Sequence, residues 1–218
     1  MNVMQKDTNQ NKKSYHHGNL SQSLLDKAAS LLEKEGASAL SIRGLAKDVG
    51  VTPAAVYHHF KNRSDLLVNI AKKGFTQLEE TILKAIQDIE DPDEKIKQYG
   101  MALVRFSLDH AHLYSLMLDN EEVEEFFPYQ DYMNIIKSQY AILLGINQAR
   151  VSKWDFKVSA ESLSFATWCA FSGLCQSLKD TRSNQMIASL MGRDDAETID
   201  VKMAVSDLIS EIYIGRLR

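Results

Sequence analysis

The residues best suited to chemistry form a run at positions 41–63, in which small and polar side chains are flanked by lysines and arginines. Its alanines allow a backbone to approach base pairs closely, and an alanine can contact the methyl group of thymine. Tyr57 and His58 can hydrogen-bond to a phosphate or a base edge, and basic side chains can contact the sugar–phosphate backbone. We therefore predict an interface for double-stranded DNA that comprises Ser41, Arg43, Thr52, Pro53, Ala54, Ala55, Tyr57, His58, Lys61 and Arg63.

Two short helices joined by a tight turn would position this run. Ser41 is a good N-cap for a first helix that extends to Asp48, and Gly50 suits a turn with positive φ. Thr52 caps a second helix, and Pro53 takes its first position, where a missing N–H costs little. The pattern indicates a helix-turn-helix whose second helix enters the major groove. By spacing alone, a plain helical hairpin inside a bundle fits equally well.

Helical periodicity continues along most of the chain, without an alternating strand pattern. The sequence therefore predicts an all-α fold in which a long helix joins an N-terminal three-helix domain to a second helical domain. We place a disordered arm at residues 1–13, the helix-turn-helix domain at 14–64 and the second domain at 65–218.

Capping signals predict where the later helices begin. Ser64 is the expected cap of the long helix through Ile86, and Asp91 is the cap of the next one, with Pro92 first and Glu94 completing a capping box. That helix should reach about residue 108. Further helices are predicted at about 113–118, from the Pro128 break to about 144, at 155–178 and at 197–216.

Composition excludes several classes of protein. Of the 218 residues, 44% are hydrophobic and 25% charged, which is ordinary for a globular protein and unlike a collagen, a disulfide scaffold or a disordered chain. We see no membrane-length apolar run and no secretory signal, so we expect a cytoplasmic protein. Cys169 and Cys175 lie six positions apart in one predicted helix, too far to bridge, so both should be free thiols.

Charge divides the chain into two parts. Residues 1–75 hold 11 Lys and Arg against 6 Asp and Glu, a net of +5, and the remainder holds 14 against 23, a net of −9. Opposite charge in two parts of one chain is typical of two roles, and the basic part suits a polyanion. Chance or a solvated face explains the same numbers.

Residues 15–75 resemble the DNA-binding domain of the TetR family of bacterial transcriptional regulators. The matching features are Gly36, the stretch from Ser41 to Ala46, Gly50 with Val51, and the stretch from Ala55 to Leu67. His59 departs from the family pattern, since many members carry tyrosine there. Residues 112–117 and 168–174 resemble the C-terminal domain class marked by a Trp…Gly element.

The resemblance implies an all-helical homodimer with about nine helices per chain. It implies that residues 65–218 bind a small-molecule effector and form the dimer interface. It also implies a regulator, most often a repressor, that binds a palindromic operator and is released by the effector.

One face of the predicted helix 155–178 carries small residues that would let a second helix approach, and the last helix adds an aliphatic stripe. We predict a dimer interface that comprises Ala166, Ala170, Gly173, Ser177, Leu208 and Ile212. The alternative is that both stripes pack only inside one subunit.

Aromatic and methionine side chains gather in the middle of the chain, where soft side chains suit an adaptable, largely apolar cavity. The candidate effector-binding residues are Met101, Phe106, Tyr114, Met117, Phe127, Tyr132, Phe165 and Trp168. Such residues are more often ordinary core. An effector would act by favouring one conformation, and only to the extent that it binds that conformation better.

Other chemistries have little support. Within each of the pairs His16–His17 and His58–His59, the two side chains cannot ligate one ion from adjacent helical positions. The acidic run 121–125 is typical of a solvated turn. No nucleophile elbow, P-loop or dinucleotide motif occurs, so we expect neither an enzyme nor a metal or cofactor. The hypotheses from other classes are a helical small-molecule-binding or adaptor protein without DNA binding, and an all-α enzyme.

Overall fold

The computed structural model describes residues 20–118 and 121–178, and within them all regular structure is helical, as predicted. A 3₁₀ turn at Ala37–Ala39 follows the first helix, and another at Glu121–Phe126 follows the sixth. The eight α-helices are α1 (Leu20–Glu35), α2 (Ile42–Val49), α3 (Pro53–Tyr57), α4 (Arg63–Ile86), α5 (Pro92–Asp109), α6 (Ala111–Leu118), α7 (Gln130–Lys153) and α8 (Ala160–Leu178).

Helices α1, α2 and α3 enclose a small core with the start of α4. Most apolar residues that the helical spacing points inward are buried there, and Leu20, Leu25, Leu31 and Val49 pack partly buried against the same core. Their packing removes apolar surface from water. The fully or almost fully buried members are Leu24, Ala28, Leu32, Leu45, Val56, Phe60, Leu66 and Leu67. The short α3 therefore depends on one buried residue, Val56, and on its caps for its position.

The N-cap of the long helix α4 lies two residues earlier than predicted, and Ser64 is not the cap. The Asn62 side chain accepts a hydrogen bond from the Asp65 N–H at 2.7 Å, so Asn62 is the N-cap. The Ser64 hydroxyl instead donates to the Glu125 carboxylate. Asparagine caps as well as serine, and sequence alone did not decide between two good caps two positions apart.

Helix α4 packs against both parts of the molecule. Its first turns contribute Leu66, Leu67 and Ile70 to the N-terminal core, and later turns bury Phe75 and Ile82 among α5, α6 and α7. The predicted domain boundary at residue 64 therefore coincides with the start of one uninterrupted helix. A continuous helix makes the connection rigid, so displacement of its far end would be transmitted to the N-terminal unit.

Two helix boundaries in the second part differ from the prediction. Helix α7 continues nine residues past Leu144, because Asn147 and Arg150 are buried and bonded in its final turns. Helix α8 begins at Ala160, five residues late, where the Ser159 hydroxyl accepts from the Ser162 N–H at 3.2 Å. Periodicity alone cannot distinguish polar residues that are buried with partners from those that end a helix.

The start of α5 is capped at Asp91, as predicted, but without the reciprocal capping box. One Asp91 oxygen accepts from the Asp93 and Glu94 N–H groups at 2.7 and 3.2 Å. The Glu94 carboxylate accepts from the Gln98 amide at 2.7 Å instead of turning back.

A buried arginine connects this helix start to α7. Arg150 is fully buried, and its Nε donates to Asp93 Oδ1 at 2.9 Å while Nη1 donates to Asn147 Oδ1 at 3.0 Å. The Trp154 indole N–H donates to the other Asp93 oxygen at 2.6 Å. Burial by itself raises the pKa of Asp93. The hydrogen bonds from Arg150 and Trp154 and the charge of Arg150 lower it by more, so the pKa of Asp93 lies below its ordinary value. These bonds hold α5 and α7 in register.

No helix in the described ranges is long and apolar enough to span a membrane.

Candidate nucleic-acid interface and ligand cavity

Helix α3 presents one face outward and one inward. Val56 is buried, whereas Thr52, Pro53, Ala54 and His58 are exposed, and Tyr57 keeps 52% of its surface accessible. Ala55 is half-buried. Within the described residues α3 is thus not enclosed in a bundle, which distinguishes it from the plain hairpin that the spacing also allowed.

Local hydrogen bonds set the angle between α2 and α3. The Ser41 hydroxyl accepts from the Gly44 N–H at 3.0 Å, and the Thr52 hydroxyl accepts from the Ala55 N–H at 3.3 Å, so both predicted caps are confirmed. Gly50 ends α2 with φ of 77°, a conformation that favours glycine. The turn and both caps therefore determine where the exposed face of α3 points.

Basic side chains surround this face. Arg43 and Lys61 are exposed, as predicted, and so is Lys47, which the sequence analysis did not select. Residues 41–63 contain four Lys or Arg and one Asp or Glu, a net charge of +3. The surface can therefore contact phosphates on both sides of a groove occupied by α3. Lys47 was detectable in the sequence, since it lies four residues after Arg43 on one face of α2.

Arg63 has a different environment from the one predicted. Its Nε donates to the Leu40 carbonyl at 3.0 Å and its Nη2 to the Ala37 carbonyl at 2.6 Å. These bonds connect the start of α4 to the turn between α1 and α2. We correct its expected role from a phosphate contact to an internal connection.

The N-terminus of α4 is satisfied by the protein itself. Asn62 accepts from the Asp65 N–H, and the Asp65 carboxylate accepts from the Lys61 N–H at 2.8 Å. The Asp65 carboxylate and the Glu125 carboxylate bonded to Ser64 place negative charge at this helix end. A phosphate there would meet electrostatic repulsion, so this end of α4 does not suit a phosphate contact.

A cavity of about 390 Å³ lies in the second part of the molecule. It is lined by Phe75 and Leu78 of α4 and by residues of four further helices, namely Tyr99, Leu103, Tyr114, Leu118, Ile136, Lys137, Gln139, Tyr140, Leu143, Phe165, Trp168 and Ser172. Pockets of roughly 300–1,000 Å³ are the usual size for small-molecule ligands.

The eight candidate effector-binding residues are divided among different places. Three of them, Tyr114, Phe165 and Trp168, line this cavity. Met101 and Phe106 line a separate groove of about 750 Å³ between α4 and α5, together with Lys97 and Arg105. The remaining three are Met117, Phe127 and Tyr132.

Those three lie in neither space, so we correct their assignment. Met117 and Tyr132 are core residues, with the Tyr132 hydroxyl donating to the Met117 carbonyl at 2.7 Å. Burial raises the Tyr132 pKa to about 12, which keeps this phenol neutral. Phe127 is 54% exposed on the surface. The clustering of aromatic residues along the chain could not distinguish cavity-lining positions from core or surface positions, because it contains no information on which helices pack together.

The polar residues of the cavity were missed by the sequence analysis. Tyr99 on α5 and Lys137, Gln139 and Tyr140 on α7 all contribute to its wall. A partial signal was present, since Ile136, Tyr140 and Leu143 follow helical spacing. Their common cavity depends on contacts between helices that are distant in sequence.

The stripe of small residues on α8 is accessible along much of its length. Ala166 and Gly173 are exposed, and Ala170 and Ser177 are half-buried. A Cβ placed on Gly173 would meet nothing within 4 Å. Leu208 and Ile212, the other predicted interface residues, lie outside the described residues, so the interface stays a prediction.

Helix α6 connects the cavity region to the N-terminal unit. The His112 Nδ1–H donates to the Leu32 carbonyl near the end of α1 at 2.9 Å, and His110 Nδ1 lies 3.5 Å from Glu33 Oε1. Tyr114 and Leu118 of the same helix line the cavity. A shift of α6 would therefore reach α1 directly.

No group of three or more metal-binding side chains occurs among residues 20–118 and 121–178. Cys169 is exposed and Cys175 buried, and neither forms a disulfide in the described part of the chain, as predicted.

Comparison with known proteins identifies relatives of the N-terminal part. A sequence profile of the bacterial regulatory proteins of the tetR family matches residues 24–70, in agreement with the resemblance noted above. The nucleoid occlusion factor SlmA of Vibrio campbellii is 29% identical over 114 residues, which are 49% of this chain and 58% of that relative. The HTH-type transcriptional regulator AcrR of Shigella flexneri is 45% identical over 49 residues, 22% of this chain and 23% of that relative. The matches thus span about half or less of these relatives.

Structural similarity extends over nearly the whole chain. A protein of unknown function from Rhodococcus sp. RHA1 superposes with a TM-score of 0.74 at 24% identity, covering 95% of this chain and 100% of that one. At this identity the likeness concerns the fold. The Trp…Gly class of the second domain stays a prediction.

Proposed function

We propose that this chain, in which residues 24–70 match the sequence profile of the bacterial regulatory proteins of the tetR family, is a DNA-binding transcriptional regulator. In this proposal it binds a palindromic operator as a homodimer in the cytoplasm, acts as a repressor and is released by a small-molecule effector. It is not an enzyme and needs no metal or cofactor.

The observation that carries the proposal is the exposed face of α3 inside a basic surface. Tyr57 is half-exposed beside His58, and Arg43, Lys47 and Lys61 are exposed around it. A helix with small residues at its start can enter the major groove while the surrounding cations contact phosphates.

A dimer through α8 would give two copies of α3 a fixed separation. The accessible small residues Ala166 and Gly173 support close approach of a second helix. Two recognition helices in a two-fold dimer read half-sites about 34 Å apart, which is one turn of DNA. The operator should therefore have two-fold symmetry.

The effector part of the proposal is supported by the cavity and by the path through α6. A ligand that prefers one arrangement of α4, α6 and α7 would displace His112 relative to the Leu32 carbonyl and so reorient α1. The ligand shifts DNA affinity only by its difference in affinity for the two arrangements.

Fluorescence anisotropy with DNA from the region upstream of the gene tests the proposal. The affinity for DNA should fall steeply as the salt concentration rises. Lys61→Ala should weaken binding to all DNA sequences alike, and it should lower the slope of log affinity against log salt concentration by about 1. Tyr57→Ala should cost about 1–3 kcal/mol on the specific site if the side chain meets a base.

Two surface variants outside the helix-turn-helix are controls. Lys84→Ala removes an exposed positive charge from α4, and Phe127→Ala removes an exposed aromatic ring. Both should leave DNA affinity unchanged. Absence of DNA binding with small-molecule binding retained would favour the alternative, a helical ligand-binding or adaptor protein.

A further inference from the structure

The cavity of about 390 Å³ has a wall that is almost entirely apolar. Leu78, Leu103 and Leu143 contribute to it and are each no more than 6% exposed. Such a wall favours a ligand whose main body is also apolar, because contact removes water from both surfaces.

One polar group in this wall lies on a buried side chain. Tyr99 is 5% exposed, and its ring packs against Phe171 with centroids 6.0 Å apart. Burial, with a smaller effect of the nearby Cys175 thiol, raises the pKa of Tyr99 above its ordinary value. The neutral phenol can therefore donate a hydrogen bond to a ligand oxygen.

A second polar group in the wall is the Gln139 amide. The Gln139 Nε2 amide donates to the Phe75 carbonyl at 3.2 Å and to the Glu79 carboxylate at 2.9 Å. Both amide protons are thereby used, so Gln139 can offer a ligand only its carbonyl oxygen, as an acceptor.

The charge of the lining has one sign. Among the described residues that form the wall, Lys137 is the only charged one, and it is exposed at the cavity edge. The described residues give it no ion-pair partner. A cation beside an apolar cavity with no acidic residue in its lining selects against organic cations and favours an anionic group on the ligand.

The same cavity carries two exposed aromatic rings. Phe165 and Trp168 are stacked with ring centroids 6.2 Å apart, and they are 61% and 42% exposed. Large exposed aromatic faces that continue into a cavity wall suit a flat ring system.

We propose that this cavity binds a flat, largely apolar organic acid, with its ring system against the leucines and the Phe165–Trp168 pair, its anionic group at Lys137 and a hydrogen-bonding oxygen at Tyr99. This proposal rests on the proposed function only in treating the cavity as the effector site. The ligand chemistry itself follows from the wall.

Two fluorescent probes with one skeleton test the anionic part in the full-length protein. 8-Anilinonaphthalene-1-sulfonate carries a sulfonate, whereas N-phenyl-1-naphthylamine lacks it, and both brighten on entering an apolar site. Lys137→Gln should weaken binding of the sulfonate probe about fivefold and leave the affinity for the neutral amine unchanged. Lys84→Gln, which removes an exposed lysine outside the cavity, should change neither probe. Equal effects of Lys137→Gln on both probes, or none on either, would overturn the assignment of the anion.

A filling variant tests whether the probes occupy this cavity. Ser172 is half-buried in its wall, so Ser172→Trp should abolish the fluorescence rise of both probes while circular dichroism still reports a folded helical protein. Ser172→Phe is the smaller filler for the case in which the tryptophan variant does not fold. Undiminished binding of both probes to a folded filled variant overturns the proposal.

The role of Tyr99 is tested by displacement of the sulfonate probe. Tyr99→Phe should weaken 6-hydroxy-2-naphthoate by about fivefold relative to 2-naphthoate, because only the first offers a second oxygen to the phenol. An equal loss for both acids overturns the Tyr99 assignment. DNA binding measured on the same samples separates the two hypotheses. If Lys137→Gln affects both probes equally while the protein still binds DNA, the ligand class is rejected. If the probes are distinguished as expected but the protein does not bind DNA, the proposed function is rejected.

Discussion

The DNA-facing surface and the ligand cavity differ in how far apart in sequence their determinants lie. The exposed face of α3 is positioned by bonds that span three residues, from Ser41 to Gly44 and from Thr52 to Ala55. The cavity is assembled from five helices whose lining residues extend from Phe75 to Ser172. A surface built from local signals tolerates change elsewhere, whereas a cavity built from distant helices depends on every packing contact around it.

The two arginines show the same difference. Arg63 connects neighbouring elements of the N-terminal unit through backbone carbonyls of Ala37 and Leu40. Arg150 connects α7 to α5 by an ion pair with Asp93, in which the Arg150 side chain is fully buried and the Asp93 side chain is 13% exposed. One Arg150 nitrogen, Nη2, is buried without a partner in the described part of the chain, so the pair is already costly and its disruption more so.

The largest expected effect is on this buried pair. Arg150→Ala should destabilise the protein by about 3–5 kcal/mol, because it leaves the Asp93 carboxylate without its main partner. Urea unfolding followed by circular dichroism measures the loss. Lys157→Ala, at a side chain that is 90% exposed, should change stability little. If Arg150→Ala lowers the free energy of unfolding by less than about 1 kcal/mol, the Arg150–Asp93 pair does not stabilise the second domain in this way.

A smaller effect is expected where α5 meets α8. A Cβ on Gly100 would lie 2.3 Å from two ring atoms of Phe171, so Gly100→Ala should cost about 1–3 kcal/mol despite the better helix propensity of alanine. Gly145→Ala is the matched control, because its Cβ would meet nothing within 4 Å and should stabilise α7 by about 0.5–1 kcal/mol. Thermal unfolding of both variants checks the opposite signs, and stabilisation by both would contradict the close α5–α8 packing.

The caps of the N-terminal unit should matter less for stability and more for binding. Thr52→Ala should cost about 1 kcal/mol, since the Ala55 N–H loses its acceptor, and it should lower operator affinity by loosening α3. Thr81→Ala inside α4 is the control and should change neither property much, because alanine favours the helix interior. Unfolding curves and anisotropy titrations measure the two effects, and equal losses of affinity in both variants would show that the cap is not what orients α3.

The smallest effect concerns acid. The depressed pKa of Asp93 means that its stabilisation is complete above its unfolded pKa of about 4 and is lost as pH falls through the lower folded pKa. We expect this contribution to the free energy of unfolding to disappear as pH falls below about 4. Trp154→Phe removes one of the hydrogen bonds that lower this pKa, so its urea midpoint should fall by less on acidification and should level off at a higher pH than in the unmodified protein. Identical pH profiles would sink this explanation.

The features that sequence predicted well are those with short-range causes. The Ser41 and Thr52 caps, the left-handed Gly50 and the Asp91 start of α5 all depend on residues within a few positions of one another. The sequence placed the α4 cap at Ser64 because it could not rank that residue against Asn62. It ended α7 too early because the burial of Asn147 and Arg150 depends on Ser164 and Asp93, which lie on other helices.

The sequence by itself determined an all-helical chain with a basic helix-turn-helix pattern near its start, since caps, turn residues and helical periodicity act over a few residues. Only the tertiary structure decided that the outward face of α3 is exposed, which aromatic residues share a cavity, that Tyr99, Lys137 and Gln139 are among its polar groups, and that Arg63 is engaged inside the protein. The physical reason is that burial and pairing depend on which helices meet, and packing between helices distant in sequence is not contained in any local pattern.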